Sequence, residues 1–339
     1  MRFKTFCYLC LVFVFSVSAF AQTKKNTKSQ TPSKTSQPQT IEIKTDSAQT
    51  AGQDTLSGKI NSPDPIVRRQ TIMEMAQTRD LKYAPVIEKY LEDENKLVKM
   101  AAIESLGTMR SEASSDKILN LLSVSNDKDI KNSCIIAISY MPKLEKPEAL
   151  VKVALQEPDE NLKVSAIRTL GSFGVKNIEQ DMIKTLNDKK ASVNLRVAAA
   201  NYLSSIKSDK SSDIFLKLLK DENNLLRIEA IRAAGDMQIK SAITDLRVIS
   251  GENTPEIQLE SALSLAKMGD AFALNNMYKY LTSSNASYRN MALNVIGMIG
   301  NEESVKILDD KIKTETDPSF KGFMEFTREK IKARIKLSK

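Results

Sequence analysis

An apolar residue followed by a basic one returns along the chain at nearly fixed intervals. The pairs are Val67-Arg68, Val98-Lys99, Ile130-Lys131, Leu162-Lys163, Leu195-Arg196, Leu226-Arg227, Ile257-Gln258, Tyr288-Arg289 and Phe320-Lys321. The steps are 31 to 33 residues, and only Gln258 breaks the basic column. Self-similarity at such a period marks a repeat architecture. Three residues before each apolar mark stand Asp64, Asn95, Asp127, Asp159, Ser192, Asn223, Thr254, Asn285 and Asp317. All are helix N-cap types, whose short side chains accept bonds from the free N–H groups of a helix start. Pro65, Pro255 and Pro318 follow three of them, at the first helical position, where a missing N–H costs nothing. Nine helices are predicted to begin at these points.

Counting from the mark, offset +4 is mostly small: Thr71, Ala102, Cys134, Ala166, Ala199, Ala230, Ser261, Ala292. Offsets +5 and +8 are apolar, as in Ile72, Ile103, Ile167 and Ile231, and in Met75, Leu106, Leu170 and Leu203. At 100° per residue these positions share one face. Gly107, Gly171, Gly235, Gly297 and Gly300 fall near the helix ends, where a left-handed residue commonly closes a helix. A second apolar-periodic segment follows each motif helix, from Tyr83–Leu91 in the first repeat to Glu303–Ile312 in the eighth. Each helix pair cannot bury its apolar face alone and must stack on its neighbours.

The pattern Asp-x-x-Val-Arg-x-x-Ala-Ile-x-x-Leu-Gly resembles the HEAT repeat. Its period is similar to the short form found in phycobilisome-lyase-type HEAT-like proteins. Asp159–Gly174 (DENLKVSAIRTLGSFG) and Asn95–Gly107 (NKLVKMAAIESLG) match best, and the likeness covers about residues 58–320. The resemblance implies an all-α, right-handed α-solenoid of about eight HEAT-like helix pairs closed by a C-terminal cap helix, 318–339. It also implies that the motif helices line the concave face. It further implies a structural ladder for Arg68, Lys99, Lys131, Lys163, Arg196, Arg227 and Arg289, each bonding a capping acid or carbonyls of a neighbouring repeat. In the last repeat, +5 is Glu325 and +8 is Arg328, the polar outer face that an array end needs. Phe320, Phe323, Met324, Ile331 and Ile335 are expected to cover the last repeat.

Offsets +6 and +10 lie opposite the apolar face. On the concave side they form the candidate binding row: Met73, Glu104, Ile136, Tyr140, Arg168, Asn201, Arg232, Asp236, Leu263, Asn294 and Met298. Exposed Met, Ile, Leu and Tyr beside Arg suit a protein or peptide partner.

The chain begins Met-Arg-Phe-Lys, continues in an apolar run from Phe6 to Phe20, and reaches Ala19-Phe20-Ala21 before Gln22. This reads as a secretory signal peptide, 1–21, cleaved after Ala21, so the protein is expected in the periplasm or envelope of a bacterium. Residues 22–57 are rich in Ser, Thr, Gln and Lys, a composition that cannot offset its chain entropy by burial. They read as a disordered tether ahead of a repeat domain, 58–339.

Charge and chemistry narrow the function. The net charge is +8. Residues 1–57 carry seven basic and three acidic residues, and 321–339 carry seven and two, which leaves the middle near neutral at −1. A nucleic-acid binder would carry its basic footprint on the folded body, so no nucleic acid is expected. The chain has no His, which removes His-based triads and His metal sites. Beyond the leader the one cysteine is Cys134, placed in the small-residue column as a buried structural thiol. The expectation is a non-enzymatic envelope scaffold without a cofactor. Two alternatives stand beside it: a cofactor lyase or chaperone, by likeness, and a membrane- or wall-binding module acting through 22–57 or 319–339.

Overall fold

The computed structural model describes residues 56–337. The expected signal peptide and all but the end of the tether lie outside them, as do the last two residues. The described residues are helical, with no strand among them. In chain order the helices are α1 (Pro65–Gln77), α2 (Ala84–Glu88), α3 (Lys96–Thr108), α4 (Ser115–Val124), α5 (Lys128–Ser139) and α6 (Glu148–Gln156). There follow α7 (Glu160–Ser172), α8 (Glu179–Asn187), α9 (Val193–Ser205), α10 (Ser212–Leu218), α11 (Asn224–Asp236) and α12 (Ile243–Ile249). The array ends with α13 (Pro255–Lys267), α14 (Leu274–Met277), α15 (Ala286–Ile299), α16 (Glu302–Thr314) and α17 (Pro318–Leu337). Odd numbers are the motif helices, and all nine begin directly after the cap residues read from the sequence. Eight of the caps bond the helix start; Asp127, for example, accepts from the N–H groups of Asp129 and Ile130. Thr254 is the exception: it stands at the cap position without a side-chain bond.

The +4, +5 and +8 columns are the core. Ile72, Ala102, Cys134, Leu170, Ala199, Leu203, Ala230 and Ile296 are all buried. Burial also pushes the Cys134 thiol up to about 12, so it stays protonated at neutral pH.

Motif helices stack directly on one another, α1 on α3, α3 on α5 and onward to α15 on α17. The chain is thus an α-solenoid with the eight expected helix pairs. The packing partner of each second helix is the motif helix that follows it: α4 on α5, α6 on α7, α8 on α9, α16 on α17. Contact with the motif helix before it is slight. The repeating hairpin is therefore second helix plus next motif helix, half a repeat later than chain order suggests. Ahead of α1 the described residues hold one short helical stretch, 56–59, and at the other end α17 is both the last motif helix and the cap.

The glycines near helix ends do not close the helices in the left-handed conformation, although Gly300 caps α15 with an extended backbone. None of Gly107, Gly171, Gly235, Gly297 and Gly300 has positive φ. Four of them occupy offset +9, where every residue from α1 to α15 is small: Ala76, Gly107, Ser139, Gly171, Ser204, Gly235, Ala266, Gly297. This column faces offset +7 of the next motif helix. A Cβ on Gly107 would stand 2.5 Å from Ala137 Cα, and one on Gly235 would stand 2.8 Å from Ser264 Cα. Ser264 also donates its hydroxyl to Ile231 O across this seam, at 2.7 Å. The left-handed residue comes three positions later, at Arg79, Arg110, Gly174, Lys207, Gln238 and Gly269. Around Arg110 the closing bonds are Arg110 N–H to Gly107 O and Ser111 N–H to Leu106 O, the pattern of a Schellman turn.

Candidate functional site

The basic ladder is built into the joint between repeats. The Arg68 guanidinium donates to both Asp93 oxygens, at 2.8 and 2.9 Å, and to the carbonyls of Ser62 and Pro63. Lys131 pairs with Glu157 at 2.5 Å and Arg227 with Glu252 at 2.6 Å. Arg196 donates to Leu186 O and lies 3.7 Å from Asp221. Arg289 donates to Ser283 O, approaches Asp317, and covers the Phe320 ring. In the broken position, Gln258 donates to Ser250 O and accepts from the Tyr280 hydroxyl, doing with a neutral amide what Arg227 does with a cation at Leu219 O. The acid is usually two residues ahead of the next cap, and from there it also accepts the cap's own N–H, as Asp93 does from Asn95. Burial raises the Asp93 carboxyl most strongly, but the hydrogen bonds from Arg68 and the Asn95 N–H, with the Arg68 charge, together hold the group below its ordinary value. Lys99 adds its charge beside Asp93. Lys163 makes no ion pair among the described residues.

The candidate binding row stands on the side of the motif helices opposite the core. Met73, Glu104, Ile136, Tyr140, Arg168, Arg232, Asp236 and Asn294 are exposed, and Asn201, Leu263 and Met298 are half-buried. Three residues of the row, Glu104, Asp236 and Arg232, are already engaged within the fold. Glu104 accepts from the Ser133 hydroxyl at 3.1 Å, and Asp236 pairs with Lys267 at 2.5 Å. Arg232, read from the sequence as an outward cation, is in fact clamped between Glu229 on its own helix, at 2.9 Å, and Glu260 on the next. Glu260 is 5% exposed, so Arg232 neutralises a carboxylate that would otherwise be buried unpaired. Burial pushes the Glu229 carboxyl above its ordinary value against the pull of Arg232. Arg168 is exposed and makes no ion pair among the described residues.

Two grooves open along this row between successive motif helices. The first, between α1 and α3, has a volume of about 500 Å³ and joins Met73 and Glu104 to Arg69, Arg79, Leu97 and Met100. The second, between α9 and α11, has about 400 Å³ and joins Asn201, Arg232 and Asp236 to Lys207 and Glu229. Sequence reasoning missed Arg69 and Met100, which share offset +2 and flank +6 on the wheel. It also missed Arg79 and Lys207, which sit in the closing turn.

On the last helix, Phe320, Met324 and Ile331 are buried and Ile335 is half-buried, as expected of a cap. Phe323 corrects that expectation: it is 61% exposed, and Phe326 is 71% exposed. Burial follows positions 320, 324, 327 and 331, and Phe323 lies off that stripe. Arg334 donates to the carbonyls of Gly297 and Met298, at 2.9 and 2.6 Å, and to Gly300 O. It thereby satisfies the end of α15. No described helix is long and apolar enough to cross a membrane.

Comparison with curated proteins finds no match. Among solved structures, YibA of Escherichia coli is similar at 17% identity, over 77% of this chain and 96% of its own, with a TM-score of 0.48. The CpcE–CpcF complex of phycocyanin lyase from Nostoc sp. PCC7120 is similar at 14%, over 76% and 98%, with a TM-score of 0.44. Human deoxyhypusine hydroxylase is similar at 13%, over 73% and 96%, with a TM-score of 0.34. Likeness at this level says nothing of activity. The HEAT-repeat profile matches residues 54–139, 147–235 and 212–292, more than half of the sequence and most of the capped helices. The chain belongs to the HEAT-repeat family.

Proposed function

We propose that this protein is a non-enzymatic scaffold of the bacterial cell envelope, holding a protein or peptide partner along the exposed face of its motif helices. The observation that carries the reading is the row itself. Met73, Ile136 and Tyr140 stand 38%, 40% and 37% exposed on one side of the array, with Arg168 exposed in its middle, in no ion pair among the described residues and acting on Glu229 through its charge alone. Large apolar side chains beside an exposed guanidinium are the usual make-up of an interface core. HEAT-repeat proteins generally bind protein partners, which agrees with this use.

The packing supports a concave placement. Motif helices meet at the glycine seam, while second helices touch one another less. A layer that is more closely spaced lies on the inner side of a curve. Eight steps at roughly 9–10 Å give an inner path of about 70–80 Å, enough for an extended segment. The envelope location rests on the leader at 1–21 and is part of the proposal.

The test is Arg168→Glu, with photo-crosslinking in native envelopes and mass spectrometry of the captured partner. Arg232 is left intact, because removing it would strand Glu229 and Glu260. The variant should melt like the parent and lose the crosslinked partner. Capture at the parental level would sink the reading.

A further inference from the structure

The groove between α1 and α3 carries chemistry that the rest of the row lacks. We propose that it docks an acidic-hydrophobic peptide segment of the partner, with a large apolar side chain on Met73, Leu97 and Met100 and a flanking carboxylate held by Arg69 and Arg79. The inference rests on the scaffold reading and names the chemistry of one of its contacts.

Size is the first argument. A volume of about 500 Å³ lies within the range of pockets that take small ligands, so one or two large side chains fit. Lining is the second. Leu97 is 56% exposed, and thioether chains such as those of Met73 and Met100 adapt to irregular apolar shapes.

Charge gives the sign of the occupant. Arg68, Arg196, Arg227, Arg247, Arg289 and Arg328 are all held in ion pairs. Arg69 and Arg79 line the groove exposed and make none among the described residues. Glu104 accepts from Ser133, and the lining is still net positive. The chain's own residues 22–55 hold five Lys and three acids, the wrong overall sign for this site. A separate acidic segment complements it.

The backbone gives the fourth argument. Arg79 has φ 55°, a conformation that costs any residue with a Cβ. At the same turn, Gly174 and Gly269 avoid that cost. Arg110 and Gln238 offset it by donating to Tyr140 O and Lys267 O of the next motif helix. Arg79, like Lys207 at the second groove, makes no such bond, and it lines the groove between α1 and α3. What sets Arg79 apart is its company, since it shares its groove with Arg69 and three large apolar side chains, where strain at a non-glycine residue is consistent with a binding role.

The experiment uses protein spanning residues 22–339 and two fluorescein-labelled dodecapeptides. Both contain Leu and Phe; one carries Asp between them and the other carries Lys at the same places. Anisotropy should report binding of the Asp peptide only, weakening as salt rises. Arg69→Ala and Arg79→Gly should each lose about three- to fivefold in affinity, and Leu97→Ser should lose at least as much. Arg79→Gly should melt at or above the parental temperature, because glycine takes this φ freely, so its loss of binding cannot be a loss of fold. Equal binding of both peptides, binding of neither, or parental affinity in Arg79→Gly overturns the proposal. So does a concentration-dependent doubling of mass abolished by Leu97→Ser, which would seat a second copy in the groove, or tight binding of a peptide spanning residues 36–47 of this chain. The two readings separate in the crosslinking assay. Partner capture lost in Arg168→Glu and kept in Arg79→Gly sinks the groove alone, whereas capture kept in both sinks the scaffold.

Discussion

At Gly107 the backbones of α3 and α5 are so close that a single added methyl group has no room. Its Cβ would meet Ala137 Cα at 2.5 Å, backbone that cannot swing aside. Gly107→Ala is expected to cost about 1–3 kcal/mol, the range for overpacking a tight core, measured by urea unfolding. Gly171→Ala should cost less, since its nearest atom, Tyr202 Cα, is 3.2 Å away. Lys207→Gly should go the other way and stabilise by up to about 1 kcal/mol, because Lys207 holds φ 50° in a region that favours glycine. A neutral Gly107→Ala would remove the seam from the account of why these helices stack. The core columns at +4, +5 and +8 were legible in the sequence because burial and periodicity coincide there. The seam was not. A glycine near a helix end reads alike as a left-handed closer or as a point of close approach. Only the whole +9 column, with Ala76, Ser139 and Ala266 beside the glycines, tells them apart. Arg232 was unreadable for a related reason. Its offset marks it as outward, but its guanidinium is held by Glu260, a residue from the next repeat.

Among the helices, α17 departs most from the pattern, and it shows how far a wheel can be trusted. Its buried stripe of Phe320, Met324, Thr327 and Ile331 packs on α15 and α16, while Phe323 and Phe326 stand in solvent. The sequence placed Phe323 in the cap because aromatic character and spacing both allowed it. Contact with α15 selects the i, i+4, i+7, i+11 stripe instead, and that choice depends on how the helix is rotated. Met324→Ala should therefore cost about 2–5 kcal/mol, as large-to-small changes in packed cores do. Phe323→Ser with Phe326→Ser should stay within about 0.5 kcal/mol of the parent, as exposed substitutions do. Chemical denaturation followed by circular dichroism checks both, and equal costs would mean that the stripe is misplaced. The double serine variant also isolates any lipid contact through residues 319–337. Ending the chain at Asp317 would strip the cap from the array, whereas the serines leave it intact. Vesicle flotation unchanged in that variant would exclude contact through these rings.

Across the array, stability is a sum of repeat terms and nearest-neighbour terms, so the ends should not be equal. The opening motif helix α1 packs chiefly on α3. Among the described residues before it stand the short helical stretch at 56–59, with Leu56 against the core, and buried Ile60, whose carbonyl accepts from the Tyr90 hydroxyl at 2.8 Å. At the other end α17 covers two helices and Arg334 satisfies the carbonyls of α15. Interior motif helices have neighbours on both sides, and Tyr202 and Phe215, the largest fully buried side chains, lie in that stretch. Local opening free energy should follow this order. Amide hydrogen exchange read by mass spectrometry should find α1 and α2 least protected, α16 and α17 intermediate, and α9 and α11 most protected. The α1–α3 groove lies at the looser end, where ordering costs are met on binding. Saturation with the Asp peptide should accordingly slow exchange in α1–α3 and leave α9–α11 unchanged. Uniform protection along the array would make it one cooperative unit, and slowing confined to α9–α11 would move the docking point to the second groove.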